Sequence, residues 1–100
     1  MLDFVGREDA PVIAALKQEG VIPICRSNLP QYMFVGHSTN ELYGRAMNPY
    51  DESRTSGGSS GGDSALVASK CVPLGLGTDI GGSVRSPAAT CGIVTFKCTP

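Results

Sequence analysis

Two serines flanked by glycine are the residues of this sequence whose type and spacing could do chemistry. Ser59 lies in Gly57-Gly58-Ser59-Ser60-Gly61-Gly62, and Ser83 in Asp79-Ile80-Gly81-Gly82-Ser83-Val84-Arg85. Both fall in Ser53 to Arg85, which holds eight of the thirteen glycines and carries an apolar run between the two serines. Glycine costs backbone entropy, so such a density needs a geometric reason: positive φ angles, or a group that approaches the backbone closely. Sites that hold an anion with backbone N–H groups require both. Gly81-Gly82-Ser83 suits a nucleophile, because two residues without Cβ admit a substrate carbonyl and successive N–H groups can face the oxyanion that develops. Serine needs a base to take its proton, and lysine replaces histidine where burial lowers its pKa. The stretch therefore reads as half of an active site.

Three familiar glycine loops nearly fit, and each fails on a residue. Gly57 and Gly62 have phosphate-loop spacing, but Asp63 stands where the phosphate-binding lysine belongs. Gly75-Leu76-Gly77 begins a dinucleotide fingerprint, but Ile80 replaces its third glycine. Gly57-Gly58-Ser59-Ser60-Gly61 matches the G-x-S-x-G nucleophile elbow, which needs a strand before it and a histidine after it. Asp51 to Ser56 is polar and strand-poor, and His37, the one histidine, lies upstream.

The elements that must position these serines follow from the pattern. Asp9 as N-cap, Pro11 in the first turn, apolar Val12, Ile13 and Leu16, and Gly20 as the stop predict a helix over 10–19. Lys17 falls on its polar side. Val21 to Cys25 reads as a buried strand, with Pro23 against a central position. Asn28 and Pro30 open a short helix through Gln31 to Phe34, and residues 36–58 read as a long irregular segment with a turn at Asn48-Pro49. From Asp63, Ala65 to Ala68 predict a small-residue helix. Pro73 to Gly77 reads as a glycine-weakened strand, 84–91 as a short helix despite Pro87, and Ile93 to Phe96 as a last strand. The class is α/β with short parallel-type strands.

Composition excludes several function classes. A net charge of −1 and a pI near 5.7 leave no footprint for nucleic acid, and Arg45, Arg54, Lys70 and Arg85 are scattered. Cys25, Cys71, Cys91 and Cys98 form no C-x-x-C pair, which argues against zinc and reads as small buried apolar residues. No secretory leader is visible at the start, and no apolar run approaches the roughly 20 residues of a membrane span. The chain reads as soluble and reduced, with at most one domain and little apolar area to bury.

GGSSGG at 57–62, followed by PLGLGTDIGGSVRSPAATCGI at 73–93, resembles the amidase signature family of Ser-Ser-Lys amide hydrolases. Upstream, Ser27-Asn28-Leu29-Pro30-Gln31 and Tyr43 to Pro49 resemble its fatty-acid amide hydrolase branch more than the bacterial or tRNA-amidotransferase branches. The resemblance covers residues 10–98, with its motif core at 53–93, and implies a segment of that fold, a mixed central sheet flanked by helices, within residues 1–100 and without a second domain. It implies Ser83 as nucleophile, Ser59 as the bridging serine that relays protons, with a cis peptide bond before it, and the N–H groups of Ile80, Gly81, Gly82 and Ser83 as the oxyanion hole. Ser60 would hydrogen-bond behind them, Asp79 and Arg85 would brace the nucleophile turn, and Met33 and Phe34 would line an acyl-chain channel. The implied partner is a small acyl amide, with no cofactor, no metal and no nucleic acid. Location would be intracellular, cytoplasmic or membrane-associated, any membrane contact coming through segments not in this sequence.

The sequence also departs from the family. The family's catalytic lysine lies upstream of residue 1, and Lys17, Lys70 and Lys97 do not match it. Gly36 stands where an aromatic ring is usual in the channel, and Thr95 and Cys98 replace a glycine and a proline. The competing expectation is an inactive truncated fragment or a small interaction protein, partly unfolded when isolated.

Overall fold

The computed structural model describes residues 5–99. Helix α1 runs Pro11–Gln18, with Pro11 at its start, where a missing N–H costs nothing. Its N-cap is Ala10. Asp9 instead accepts a 2.7 Å ion pair from Lys17 Nζ. Gly20, at φ +87°, ends the helix: its N–H bonds the Lys17 carbonyl and that of Val21 bonds Leu16, the paired closure of a Schellman turn. Gln31–Met33 form a single 3-10 turn after Pro30, shorter than expected, with Tyr32 and Met33 at φ +55° and +59°.

The segment expected to be irregular holds two antiparallel hairpins: β1 (Thr39–Asn40) with β2 (Gly44–Arg45), and β3 (Met47–Asn48) with β4 (Asp51–Thr55). Asparagine side chains close both. Asn40 Oδ1 accepts from the Leu42 and Tyr43 N–H groups at 3.1 and 2.8 Å, and Asn48 Oδ1 accepts from Tyr50 at 2.9 Å. Such turns replace a ladder rung with a side chain, so two-residue strands suffice and leave no apolar alternation to read.

Helix α2 (Gly61–Ala68) begins two residues before Asp63, inside the glycine run, and α3 (Arg85–Cys91) carries Pro87 in its first turn. Both helices pack through small residues. The buried apolar residues on these helices are Ala68, Ala88, Pro87 and Cys91, and Ser38, Ser56, Ser59, Ser60 and Ser64 are also buried. Cys91 alone matches the expectation of a buried thiol, since Cys25, Cys71 and Cys98 are exposed.

The α/β class holds, as a small mixed fold of three helices and two antiparallel sheets, consistent with a segment of the amidase signature fold. The parallel-type strands do not form. Residues 21–25, 73–77 and 93–96 have no ladder partner among the described residues. Pro23 and Pro73 each lack an N–H, and a strand needs a neighbour within about 4.8 Å to satisfy the rest. Ile22, Ile24, Leu74, Val94 and Phe96 accordingly stay exposed.

Candidate active site

β4 delivers the chain into Gly57, and α2 carries it away. A strand thus precedes the G-x-S-x-G stretch after all, which removes one objection to a nucleophile elbow. Burial supplies another: an elbow presents its serine, whereas Ser59 is only 2% exposed. The Gly58–Ser59 peptide bond is cis. Gly57, at φ +82°, faces the start of α3 so closely that a Cβ there would lie 2.7 Å from Pro87 Cα.

Hydrogen bonds fix the serine turn on three sides. The Ser60 N–H donates to the Ser83 carbonyl at 3.0 Å, joining the two serine loops through the backbone. The Gly62 N–H donates to the Asn28 carbonyl at 3.2 Å, and the Gly61 N–H to Ser38 Oγ at 2.8 Å. Ser60, Gly61 and Gly62, the first N–H groups at the start of α2, are thus committed to protein oxygens, which together with Asp63 argues against the phosphate-loop reading.

The Ser83 loop is organised by Asp79, whose side chain is 2% exposed. Oδ1 accepts from the Gly82 N–H at 2.7 Å and from Arg85 Nη2 at 3.0 Å. Oδ2 accepts from the N–H groups of Val84 and Arg85 and from Arg85 Nε, at 3.0, 3.2 and 3.1 Å. The Arg85 guanidinium, seconded by these backbone donors and opposed by desolvation, holds the Asp79 carboxyl far below the usual carboxylate range. Asp79 and Arg85 are thus an ion pair inside the turn. One part of the expected oxyanion hole is corrected: the Gly82 N–H already serves Asp79 and is not free for a substrate oxygen. The N–H groups of Ile80, Gly81 and Ser83 have no acceptor among the described residues. Around Gly81 and Gly82 a Cβ would meet nothing within 4 Å, so this side of the Ser83 loop is open. Ser83 itself is half-buried.

A cavity of about 450 Å3 adjoins the serine turn. Ile13 and Leu16 of α1, Ile24, Leu66 of α2, Leu76 and Met33 give it apolar walls, and Ser60 and Asp63 also line it. Of the two residues expected to line a channel, Met33 lines this cavity, and Phe34 is 91% exposed and outside its lining. Ser60 Oγ is buried and makes no hydrogen bond, so the expected role behind the catalytic serines has no partner among the described residues. Asp63 accepts from Ser27 Oγ at 2.8 Å, and burial pushes its carboxyl above the usual range, the Ser27 bond opposing this in part. No lysine joins the site: Lys17 is paired with Asp9, Lys97 Nζ bonds the Cys98 carbonyl at 3.1 Å, and Lys70 is exposed in the turn after α2. The described residues contain no group of three or more His, Cys, Asp or Glu able to hold a metal, and no helix long and apolar enough to cross a membrane.

Sequence reasoning misses Ser38 and Asn28. Ser38 is fully buried against the serine turn, and the Asn28 backbone meets the first turn of α2. Asn28 reads from sequence as a cap and within the family resemblance, neither of which points to its contact with α2, and a lone serine in a patternless segment carries no signal.

Comparison with known proteins bears on this geometry. A family model described as Amidase matches residues 1–100. Fatty-acid amide hydrolase 1 of Sus scrofa is 50% identical over 91 residues, 91% of this chain and 16% of that protein. A glutamyl-tRNA(Gln) amidotransferase subunit of Treponema pallidum is 46% identical over 99 residues, 99% of this chain and 20% of that protein. The vitamin D3 hydroxylase-associated protein of Gallus gallus is 38% identical over 102 residues, 99% of this chain and 22% of that protein. The chain spans about a fifth of the length of such relatives.

Proposed function

The chain belongs to the amidase family, and from that premise we propose that it carries the two serines of a Ser-Ser-Lys amide hydrolase acting on fatty-acid amides. The observation that carries this reading is the 3.0 Å bond from the Ser60 N–H to the Ser83 carbonyl, which holds the two serine loops side by side. The neutral amine of a lysine outside the described residues takes a proton from Ser59 Oγ as Ser59 takes one from Ser83. Ser83 Oγ attacks the amide carbonyl, and the N–H groups of Ile80, Gly81 and Ser83 stabilise the oxyanion. The lysine's new proton returns through Ser59 to the leaving nitrogen, the C–N bond breaks, and Ser83 is left acylated. Water, giving up a proton through Ser59 to the lysine, attacks the ester carbonyl, the Ser83 Oγ–acyl bond breaks, the proton returns through Ser59 to Ser83 Oγ, and the acid leaves. The buried Ser60 hydroxyl, unpaired among the described residues, is a ready partner for the lysine amine.

The acyl part of the reading rests on the apolar cavity with Met33 in its wall and on the similarity to a fatty-acid amide hydrolase. The test is amine release from long-chain acyl amides and from glutamine by the native protein and its Ser83→Ala variant. The reading expects long-chain turnover, and a loss of at least about 10^3-fold in the variant. Undiminished turnover by Ser83→Ala removes the nucleophile assignment, and turnover of glutamine alone removes the fatty-acid assignment.

A second reading is favoured by the three lysines, none of which reaches the serines. On it, residues 1–100 made as a separate polypeptide bind no catalytic base and hydrolyse nothing. Turnover by that polypeptide, abolished by Ser83→Ala, would sink this reading.

A further inference from the structure

We propose that Ser38 is the positioning residue of the serine turn: one buried hydroxyl sets both the Ser59 peptide and the first turn of α2. The inference rests on the function proposed above and adds to it a residue outside the two glycine-serine motifs.

The geometry leaves the hydroxyl little choice. Ser38 is 0% exposed, and its Oγ lies 2.9 Å from the Ser59 carbonyl oxygen, 3.2 Å from that of Gly57 and 2.8 Å from the Gly61 nitrogen. It has one proton to give. The Gly57 carbonyl is already bonded by the Ser38 N–H at 3.0 Å, whereas the Ser59 carbonyl has no other donor among the described residues. The proton therefore belongs to the nearer acceptor, Ser59, and a lone pair accepts from Gly61. The hydroxyl thus acts in both senses at once, on two groups that flank Ser60. Holding the Ser59 carbonyl fixes the torsion about the Cα–C bond of Ser59, and so the direction in which its side chain leaves the backbone. Holding Gly61 fixes the entry of α2.

Ser38 can do this because its own backbone is pinned. Its N–H bonds Gly57, and its carbonyl accepts from the Ala46 N–H at 2.8 Å, next to the β1–β2 pair. The packing is equally close: a Cβ on Gly61 would lie 2.5 Å from Ser38 Oγ and 3.0 Å from Ser38 Cβ. Nothing but a small side chain fits, and a hydroxyl both donates and accepts strongly where a thiol does either only weakly. If Ser38 were mere packing, alanine would do as well. Alanine leaves a buried carbonyl and a buried N–H unpaired on either side of Ser60.

Ser38→Ala, Ser38→Cys and Ser38→Thr are compared in the native protein, with Asn48→Ala as control. Asn48 is also buried and also bonds a backbone carbonyl, that of Thr90 at 2.9 Å, but away from the serines. Two readouts are taken, steady-state amide hydrolysis and hydrogen exchange at the Gly61 amide. Loss of the hydroxyl is expected to lower kcat about 10- to 100-fold, the scale of a misplaced catalytic group, with KM nearly unchanged. Threonine is expected to recover part of kcat, and Asn48→Ala to lower thermal stability without lowering kcat. Exchange at Gly61 is expected to accelerate about tenfold or more in Ser38→Ala and Ser38→Cys and not in Asn48→Ala. Ser38→Cys replaces the hydroxyl with a larger thiol that hydrogen-bonds only weakly, and stands in if Ser38→Ala does not fold. Wild-type kcat in a folded variant lacking the hydroxyl overturns the inference, as does an equal fall in Asn48→Ala. If the unaltered protein hydrolyses no amide, the functional reading fails by itself, and unchanged exchange at Gly61 then overturns the clamp while accelerated exchange upholds it.

Discussion

Replacing Gly62 with alanine sets two opposed effects against each other, and their magnitudes decide the sign. Gly62 lies in the first turn of α2, where alanine is favoured over glycine by up to about 1 kcal/mol in a helix interior. Against this, a Cβ at position 62 would overlap the Asn28 nitrogen and lie 2.6 Å from the Asn28 oxygen and 2.9 Å from Ser27 Cβ. Comfortable carbon contacts begin at about 3.5 Å, so the segment at 27–28 must retreat by about an ångström. The nearest atoms are backbone and cannot swing aside as a side-chain tip would. Forced overpacking of this kind costs about 1–3 kcal/mol, and the retreat also breaks the Gly62 N–H bond to Asn28, worth about 1 kcal/mol.

The net expectation for Gly62→Ala is a loss of about 1–3 kcal/mol. Denaturant titration of the native protein measures it as a lower midpoint at constant slope. Gly36→Ala is the control, because a Cβ there meets nothing within 4 Å, and a change within about 0.5 kcal/mol is expected. Gly62→Ala should also lose activity, since Gly62 lies three residues from Ser59. Stability equal to or above wild type would show that helix propensity wins and that the approach of Asn28 is not a constraint.

Gly81→Ala is expected to leave stability within about 0.5 kcal/mol, there being no neighbour within 4 Å, while lowering kcat/KM by crowding the face a substrate carbonyl must reach. A fall in stability without a fall in kcat/KM would contradict it. Asp79→Asn removes the charge facing Arg85 and should lower both stability and turnover at pH 7. Because the folded-state pKa of Asp79 is depressed, its contribution is present above the unfolded value of about 3.9 and is lost as pH falls through the folded value, so the two proteins should converge in stability below about pH 4. Asp63→Asn should behave in the opposite sense. Its carboxyl is raised by burial, so its favourable contribution is present below about pH 3.9 and lost as pH rises through the folded value. Thermal melts from pH 4 to 7 should show the asparagine variant gaining on wild type as pH rises, and a constant difference would refute the assignment.

What the sequence disclosed depended on whether the cause was local. α1 was legible because Pro11 and Gly20 act within a few residues of themselves, and both do what their chemistry requires. The Asp79–Arg85 pair was expected only through the family resemblance, and the structure shows the two side chains bonded at 3.0 and 3.1 Å. The hairpins of 39–55 were not, since Asn40 and Asn48 close them with side chains and no apolar period marks them. Residues 21–25 and 73–77 mislead for the converse reason. Their apolar runs have strand composition, but a strand is made by its neighbour, and composition does not reveal whether one is paired. Ser38 is the hardest case, its partners lying 19 to 23 residues away in a segment without pattern.

The glycines show why the same residue type carried two meanings. At Gly57, Gly58, Gly61, Gly62 and Gly77 an added Cβ would come within 3.0 Å of another part of the chain, whether backbone of residues 28, 37 and 87 or the hydroxyls of Ser38, Ser56 and Ser60. Close approach is needed there, but the approaching group is the protein itself, and these glycines build the serine turn. Gly81 and Gly82 have the same composition and none of these neighbours. Gly82 takes φ +126°, a backbone requirement, with its N–H held by Asp79. Gly81 has neither a positive φ nor a neighbour, so the fold alone gives no reason for its missing side chain. On the proposed function, a substrate carbonyl drawn toward the N–H groups of Ile80, Gly81 and Ser83, which have no acceptor among the described residues, would supply one, and Gly81 is then the glycine at which activity and stability should separate most cleanly.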